Sequence, residues 1–121
     1  MSIVWADDKR VLIPGKDILQ GKTKEELVNS LAQILRGRVK FAYLFGSITT
    51  KKFQPAKSDV DLILIVDTQE PYFERWRAFR DILESIPRVD LLIYTPDEWE
   101  RLCRQTNGFW RSVHRTKERI L

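Results

Sequence analysis

The sequence is short of the residues that build stapled or metal-clasped folds. A single cysteine, Cys103, among 121 residues excludes an internal disulfide framework and any multi-cysteine zinc site. The one histidine, His114, stands among arginines of the C-terminal segment and reads as a surface or partner contact. No run of about 18 apolar residues occurs, so no transmembrane helix is expected. Met1 to Asp8 lacks the basic flank and apolar run of a secretory signal, and a cytoplasmic location follows as the expectation. Internal repeats and low-complexity segments are also absent. What is present is ordinary: 43% hydrophobic and 31% charged residues, enough for one domain with one real core. The net charge of +4 permits phosphate-bearing partners without requiring them.

Hydrophobic periodicity divides the chain into alternating helices and strands. Residues 1–22 form an N-terminal extension in which Ser2–Trp5 and Arg10–Ile13, flanking Ala6-Asp7-Asp8-Lys9, suggest a small hairpin. Thr23 and Glu26 have capping-box spacing, Leu27, Leu31, Ile34 and Leu35 make an apolar stripe, and Gly37 ends the helix. Val39, Phe41, Tyr43 and Phe45 alternate with Lys40, Ala42 and Leu44 in a strand that stops at Gly46-Ser47. A polar, basic segment follows, reading as a short helical turn and a loop. Asp59 to Val66 is a second strand, apolar on both faces at its centre and so covered on both sides. A helix over Pro71–Ile86 leads to a third strand, Val89–Tyr94. Thr95-Pro96-Asp97-Glu98 opens a helix to Gln105, Asn107-Gly108 breaks it, and Phe109–Arg119 forms the last one. The expected fold is α/β (α+β): a small mixed sheet, first pair antiparallel and second pair parallel, with helices packed on it.

That topology gathers the polar residues. Asp59 and Asp61 are two apart in one strand, share a face and lie roughly 7 Å apart along the chain. Asp90 begins the parallel neighbour, so it falls at the same edge. An antiparallel first strand ends there, with Gly46-Ser47. Crowded carboxylates repel one another, and a divalent cation relieves the repulsion. Oxygen ligands suit Mg²⁺, and two such ions serve an in-line phosphoryl displacement. Gly46 lets backbone N–H groups approach a phosphate, and a short helix from Ser47 adds its dipole. The chemistry implied is phosphoryl or nucleotidyl transfer.

Leu44-Phe45-Gly46-Ser47, eleven residues, then Asp59-Val60-Asp61-Leu62, and later Val89-Asp90-Leu91, resemble the DNA polymerase beta-like nucleotidyltransferase superfamily. Tyr94-Thr95-Pro96-Asp97-Glu98-Trp99 is similar to the strand-to-helix step of its minimal nucleotidyltransferase branch, and the resemblance covers about residues 23–120. It implies a nucleotidyltransferase domain over residues 23–121, with the nucleotidyltransferase fold. Asp59 and Asp61 would bind two Mg²⁺ ions, and Asp90 would complete one metal site and help activate the acceptor hydroxyl. Ser47 would contact the outer phosphates of ATP or another nucleoside triphosphate. Where minimal members carry arginines and a further glycine, this chain has Ile48-Thr49-Thr50-Lys51, so the phosphate charge falls to Lys51, Lys52 or Lys57. A lysine is a point charge rather than a bidentate fork.

The resemblance further implies a helical HEPN-type protein partner in a toxin–antitoxin module, the transferase moving AMP to the toxin. A second copy of the chain is the alternative source of the missing acceptor-holding domain. Two other functions stay open: a non-catalytic antitoxin-like module acting by contact alone, and nucleotidylation of RNA or a small molecule. The basic tail, Arg101, Arg104, Arg111, Arg115, Lys117 and Arg119, reads first as a solvated face, and RNA ranks below a protein partner. Cys103 reads as buried or half-buried, Trp76, Trp99 and Trp110 as packing residues, and Asp67 as a turn residue.

Overall fold

The computed structural model describes residue 19 and residues 21–121, and the expected N-terminal hairpin lies outside the described residues. Helix α1, Lys24–Leu35, starts at the Thr23 capping box: Thr23 Oγ1 accepts from Glu26 N–H, and Glu26 Oε1 accepts from Thr23 N–H. Leu27, Leu31 and Leu35 face the core, whereas Ile34 is partly exposed. Gly37 follows in the left-handed conformation that a helix end of this type requires. Strand β1 is Phe41–Phe45, and a single 3-10 turn, Gly46–Thr49, continues directly from it. Strand β2 is Val60–Ile65 and strand β3 is Val89–Tyr94.

Between β2 and β3 the chain departs from the single helix expected over Pro71–Ile86. Tyr72–Phe79 winds as a 3-10 helix, and only Arg80–Ser85 is α-helical, here called α2. Within this segment Arg75 is buried in place of an apolar residue. Its guanidinium donates to the carbonyls of Glu70 and Ile93 and to both oxygens of Glu98. Anchoring Arg75 at the end of β3 turns Tyr72 and Trp76 outward, so these two leave the expected apolar side while Phe79 and Ile86 keep it.

Helix α3, Pro96–Leu102, begins at the Thr95–Glu98 capping box. Asn107 both breaks the chain's helical run and caps the next one: its side chain accepts from Trp110 N–H at the start of α4, Gly108–Thr116. Cys103 is exposed just past α3, not buried. The expected helix to Arg119 stops at Thr116, and Glu118–Arg119 instead forms strand β4. β4 lies antiparallel to β1, with Leu44 opposite Glu118, while Ile120 and Leu121 reach the core.

The sheet order is β3-β2-β1-β4, with β1 and β2 antiparallel and β2 and β3 parallel, as the connections require. The two faces of the sheet carry separate cores. One joins Leu62 and Leu64 to Leu31, Leu35, Phe79 and Ile82 of the α1/α2 side. The other joins Phe45, Ile63 and Ile65 to Trp99, Trp110 and Val113 of the α3/α4 side. Asp59 and Asp61 share the parity of Ile63 and Ile65, so they stand on the α3/α4 face.

Candidate active site

Strand pairing puts the acidic residues side by side. Asp61 of β2 is the register partner of Asp90 of β3 and, on its other side, of Phe45 of β1. Interstrand spacing sets the Asp61 and Asp90 backbones about 4.8 Å apart. Gly46, next after Phe45, therefore lies against Asp61. Its φ is +78°, and a Cβ at this position would collide with Asp61 Oδ2. Only glycine lets the chain turn here and leave the carboxylate its place.

The electrostatics of Asp61 follow from this crowding. Burial first, then the charges of Asp90 and Asp59 and a side-chain hydrogen bond with Asp90, push its carboxyl from 3.8 up to about 7. A carboxylate held among like charges is what a bound divalent ion neutralises. The residues of this edge therefore fit Mg²⁺ in donor type and in charge.

Asp59 stands somewhat apart, half-exposed at the entry to β2, with its Oδ1 3.5 Å from Arg88 Nε. Among the described residues no group of three or more His, Cys, Asp or Glu side chains is arranged to hold a metal ion, so the fit to Mg²⁺ is that of the Asp61–Asp90 pair. Arg88 also donates to the carbonyls of Pro55 and Ser58, at 2.9 and 3.0 Å. It thereby ties the end of the 50–58 loop to the start of β3. The loop is otherwise held by its own bonds: Thr50 Oγ1 donates to Ser47 O, Gln54 N–H to Ser58 Oγ, and Ser58 N–H to Gln54 O. Lys51, Lys52 and Lys57 project from it, exposed.

The glycine turn is less open than its sequence suggests. Gly46 N–H donates to Thr116 Oγ1 at 2.9 Å, so this amide is engaged within the protein. The turn beyond it is one 3-10 turn, Ile48 buried beneath it, and its dipole is correspondingly small. Thr116 and Arg88 are the two residues of this edge that sequence reasoning missed. Arg88 immediately precedes the strand that bears Asp90, so the topology that gathered the carboxylates would have gathered it too. Thr116 carries no local signal, because its role depends on how α4 crosses the end of β1.

Other polar residues fall elsewhere. Asp67 pairs with Lys40 at 3.3 Å, at the far end of β2. His114 is half-buried, within hydrogen-bond distance of Leu102 O and of Lys117 Nζ, and packs on Trp99 and Trp110. A cavity of about 320 Å³ lined by Tyr72, Tyr94, Glu98, Arg101, Leu102 and Gln105 opens at the opposite end of β3 from Asp90. Among the described residues no helix is long and apolar enough to cross a membrane.

The mixed sheet thus sets a left-handed glycine turn against adjoining carboxylates on neighbouring strands. The family model described as polymerase beta, nucleotidyltransferase, matches residues 27–109, and the chain belongs to that family. It is a nucleotidyltransferase with the nucleotidyltransferase fold. A crystal structure of a toxin–antitoxin with AMP-PNP is similar in fold, with a TM-score of 0.54 and 18% identity over 78% of this chain and 72% of that one. A doubly substituted mutant of the toxin–antitoxin MntA-HpeT aligns at a TM-score of 0.47, with 18% identity over 78% of this chain and 71% of that one. No curated protein matches the sequence.

Proposed function

We propose that the chain is a Mg²⁺-dependent antitoxin that transfers AMP from ATP to a hydroxyl of a helical, HEPN-type toxin. The observation that carries the reading is the pairing of Asp61 with Asp90 beside the Gly46 turn, within a chain of the nucleotidyltransferase family. The toxin–antitoxin of similar fold, with its ATP analogue, supports the choice of nucleotide and of partner. In this reading residues 23–121 are the transferase domain, residues 1–22 are an extension to it, and the protein works in the cytoplasm.

Asp59, Asp61 and Asp90 would hold the metal, Asp59 exchanging Arg88 for it. Bound there, Mg²⁺ supplies the positive charge that neutralises the carboxylates and polarises the α-phosphate. The chain's own groups do the rest. Ser47, at the mouth of the turn, receives the outer phosphates, and Lys51 and Lys57 balance their charge. Asp90 accepts the proton of the acceptor hydroxyl. The hydroxyl oxygen forms a bond to the α-phosphorus, the bond from that phosphorus to the bridging oxygen breaks, and pyrophosphate leaves.

The test is label transfer. The purified protein is incubated with Mg²⁺ and α-³²P-ATP in lysate of its source organism, beside an Asp61→Asn control. A labelled protein band missing from the control supports the reading and gives the acceptor's size. Label in RNA or in a small molecule would replace the acceptor. One observation favours a second reading, a module that neutralises its partner by contact alone: the Asp59–Arg88 pair, which engages the first carboxylate inside the protein. Neutralisation of the toxin by Asp59→Asn and Asp61→Asn as well as by the wild type would decide for that module.

A further inference from the structure

Phe109 is a half-exposed aromatic ring beside the carboxylate edge. It occupies the first turn of α4, fixed there by the Asn107 cap, and is 54% exposed. Its ring is braced from two directions. The buried Phe45 meets it edge-on at 6.3 Å and 87°, and the buried Trp110 meets it edge-on at 5.1 Å and 84°. Two perpendicular neighbours fix the orientation of the ring and leave part of its surface to solvent. Burial therefore does not account for the residue's place.

Its position relative to the chemistry is set by one strand pair. Phe45, which Phe109 touches, is directly opposite Asp61 and on the same face of the sheet. Opposed residues of an antiparallel pair have Cβ atoms about 4.5–5.5 Å apart. Going across that face, one meets Asp90, Asp61 and Phe45, and Phe109 of α4 packs against Phe45. A nucleotide whose phosphates lie at the Gly46 turn would have its sugar and base to place within this neighbourhood. Phe73 is more exposed, but it belongs to the 3-10 helix between β2 and β3 and has no such link to the carboxylates.

We propose that Phe109 is the platform on which the base of the bound nucleotide stacks. The inference rests on the transferase reading above and adds a specificity-determining residue to it. A stacking platform accepts any base, because every base offers a π-face, and a purine covers more of it than a pyrimidine. Phe109 thus contributes nucleotide affinity and a preference for purines, while leaving the choice between adenine and guanine to other groups.

The test measures binding by the full chain in the presence of Mg²⁺, with a non-hydrolysable ATP analogue and with inorganic tripolyphosphate, which has no base. Wild type, Phe109→Leu and Phe109→Tyr are compared. Leucine keeps an apolar contact to Phe45 and Trp110 but has no flat face. The expected result is analogue binding weakened roughly ten-fold or more in Phe109→Leu and retained within about two-fold in Phe109→Tyr. Tripolyphosphate affinity should be the same in all three. Unchanged analogue binding in Phe109→Leu overturns the proposal, as does an equal loss for tripolyphosphate, which would mark a purely structural role. A wild type that binds neither ligand takes down the transferase reading itself, and the inference with it.

Discussion

Asp61 is the residue at which folding and chemistry compete. Its carboxyl, ordinarily near 3.8, is raised to about 7 in the folded protein. A raised acid binds its proton more tightly in the native than in the unfolded state. Its contribution to stability is therefore fully present below about pH 4 and is lost as the pH rises through 7. In chelator at pH 8, Asp61→Asn should melt above the wild type, by on the order of 1 kcal/mol once solvent screening of this half-exposed site is allowed for. The gap should close as the pH falls toward 4, and added Mg²⁺ should raise the wild-type melting temperature but not that of the variant. A pH-independent gap would mean that Asn acts through packing rather than charge. The neighbour of Asp61 was legible in the sequence, because strand parity and crossover direction alone bring Asp90 beside it. The engagement of Asp59 by Arg88 was not legible, since it depends on where a long side chain turns at the end of a loop.

At the scale of elements, the caps were readable and the windings between them were not. Thr23 with Glu26, Thr95 with Glu98 and the glycine after α1 are local signals, satisfied within a few residues, and each appears as the spacing predicts. The 3-10 helix at Tyr72–Phe79 carries the buried Arg75, whose ion pair with the half-buried Glu98 joins residues of different elements and leaves no trace in local periodicity. Strand β4 likewise forms because β1 offers an edge to the end of the chain, not because Glu118 and Arg119 favour a strand. The junction of α4 with the glycine turn is testable in the same terms. Thr116→Val keeps the shape of the side chain but leaves Gly46 N–H without its acceptor. The expected cost is about 1–3 kcal/mol, read by denaturant unfolding. Nucleotide affinity should weaken with it, because the turn loses its anchor. A variant as stable as the wild type would show that another acceptor reaches this amide.

Over the whole molecule, the sheet separates support from chemistry. The α1/α2 side packs an apolar core with the Arg38–Asp81 ion pair beside Phe79, whereas the α3/α4 side shares its core with the face that carries Asp59, Asp61 and Phe45. Ile63 and Leu64 are adjacent in β2, both fully buried, and point to opposite sides. Truncating either to alanine should cost about 2–5 kcal/mol in unfolding experiments. Only Ile63→Ala should also weaken nucleotide binding at temperatures where both variants are folded, because Ile63 shares its face of β2 with Asp61. Equal binding by the two would mean that the site is insulated from the core below it. The Asp61–Asp90 pairing has one more consequence, in the thermodynamics of ligand linkage. The two carboxylates are separated along the chain by the whole β2–α2–β3 crossover and meet only when β3 docks beside β2. The unfolded chain has no comparable cluster to offer a cation. Any ion the site takes up therefore binds the native state almost alone, and its concentration sets the population of folded molecules by mass action.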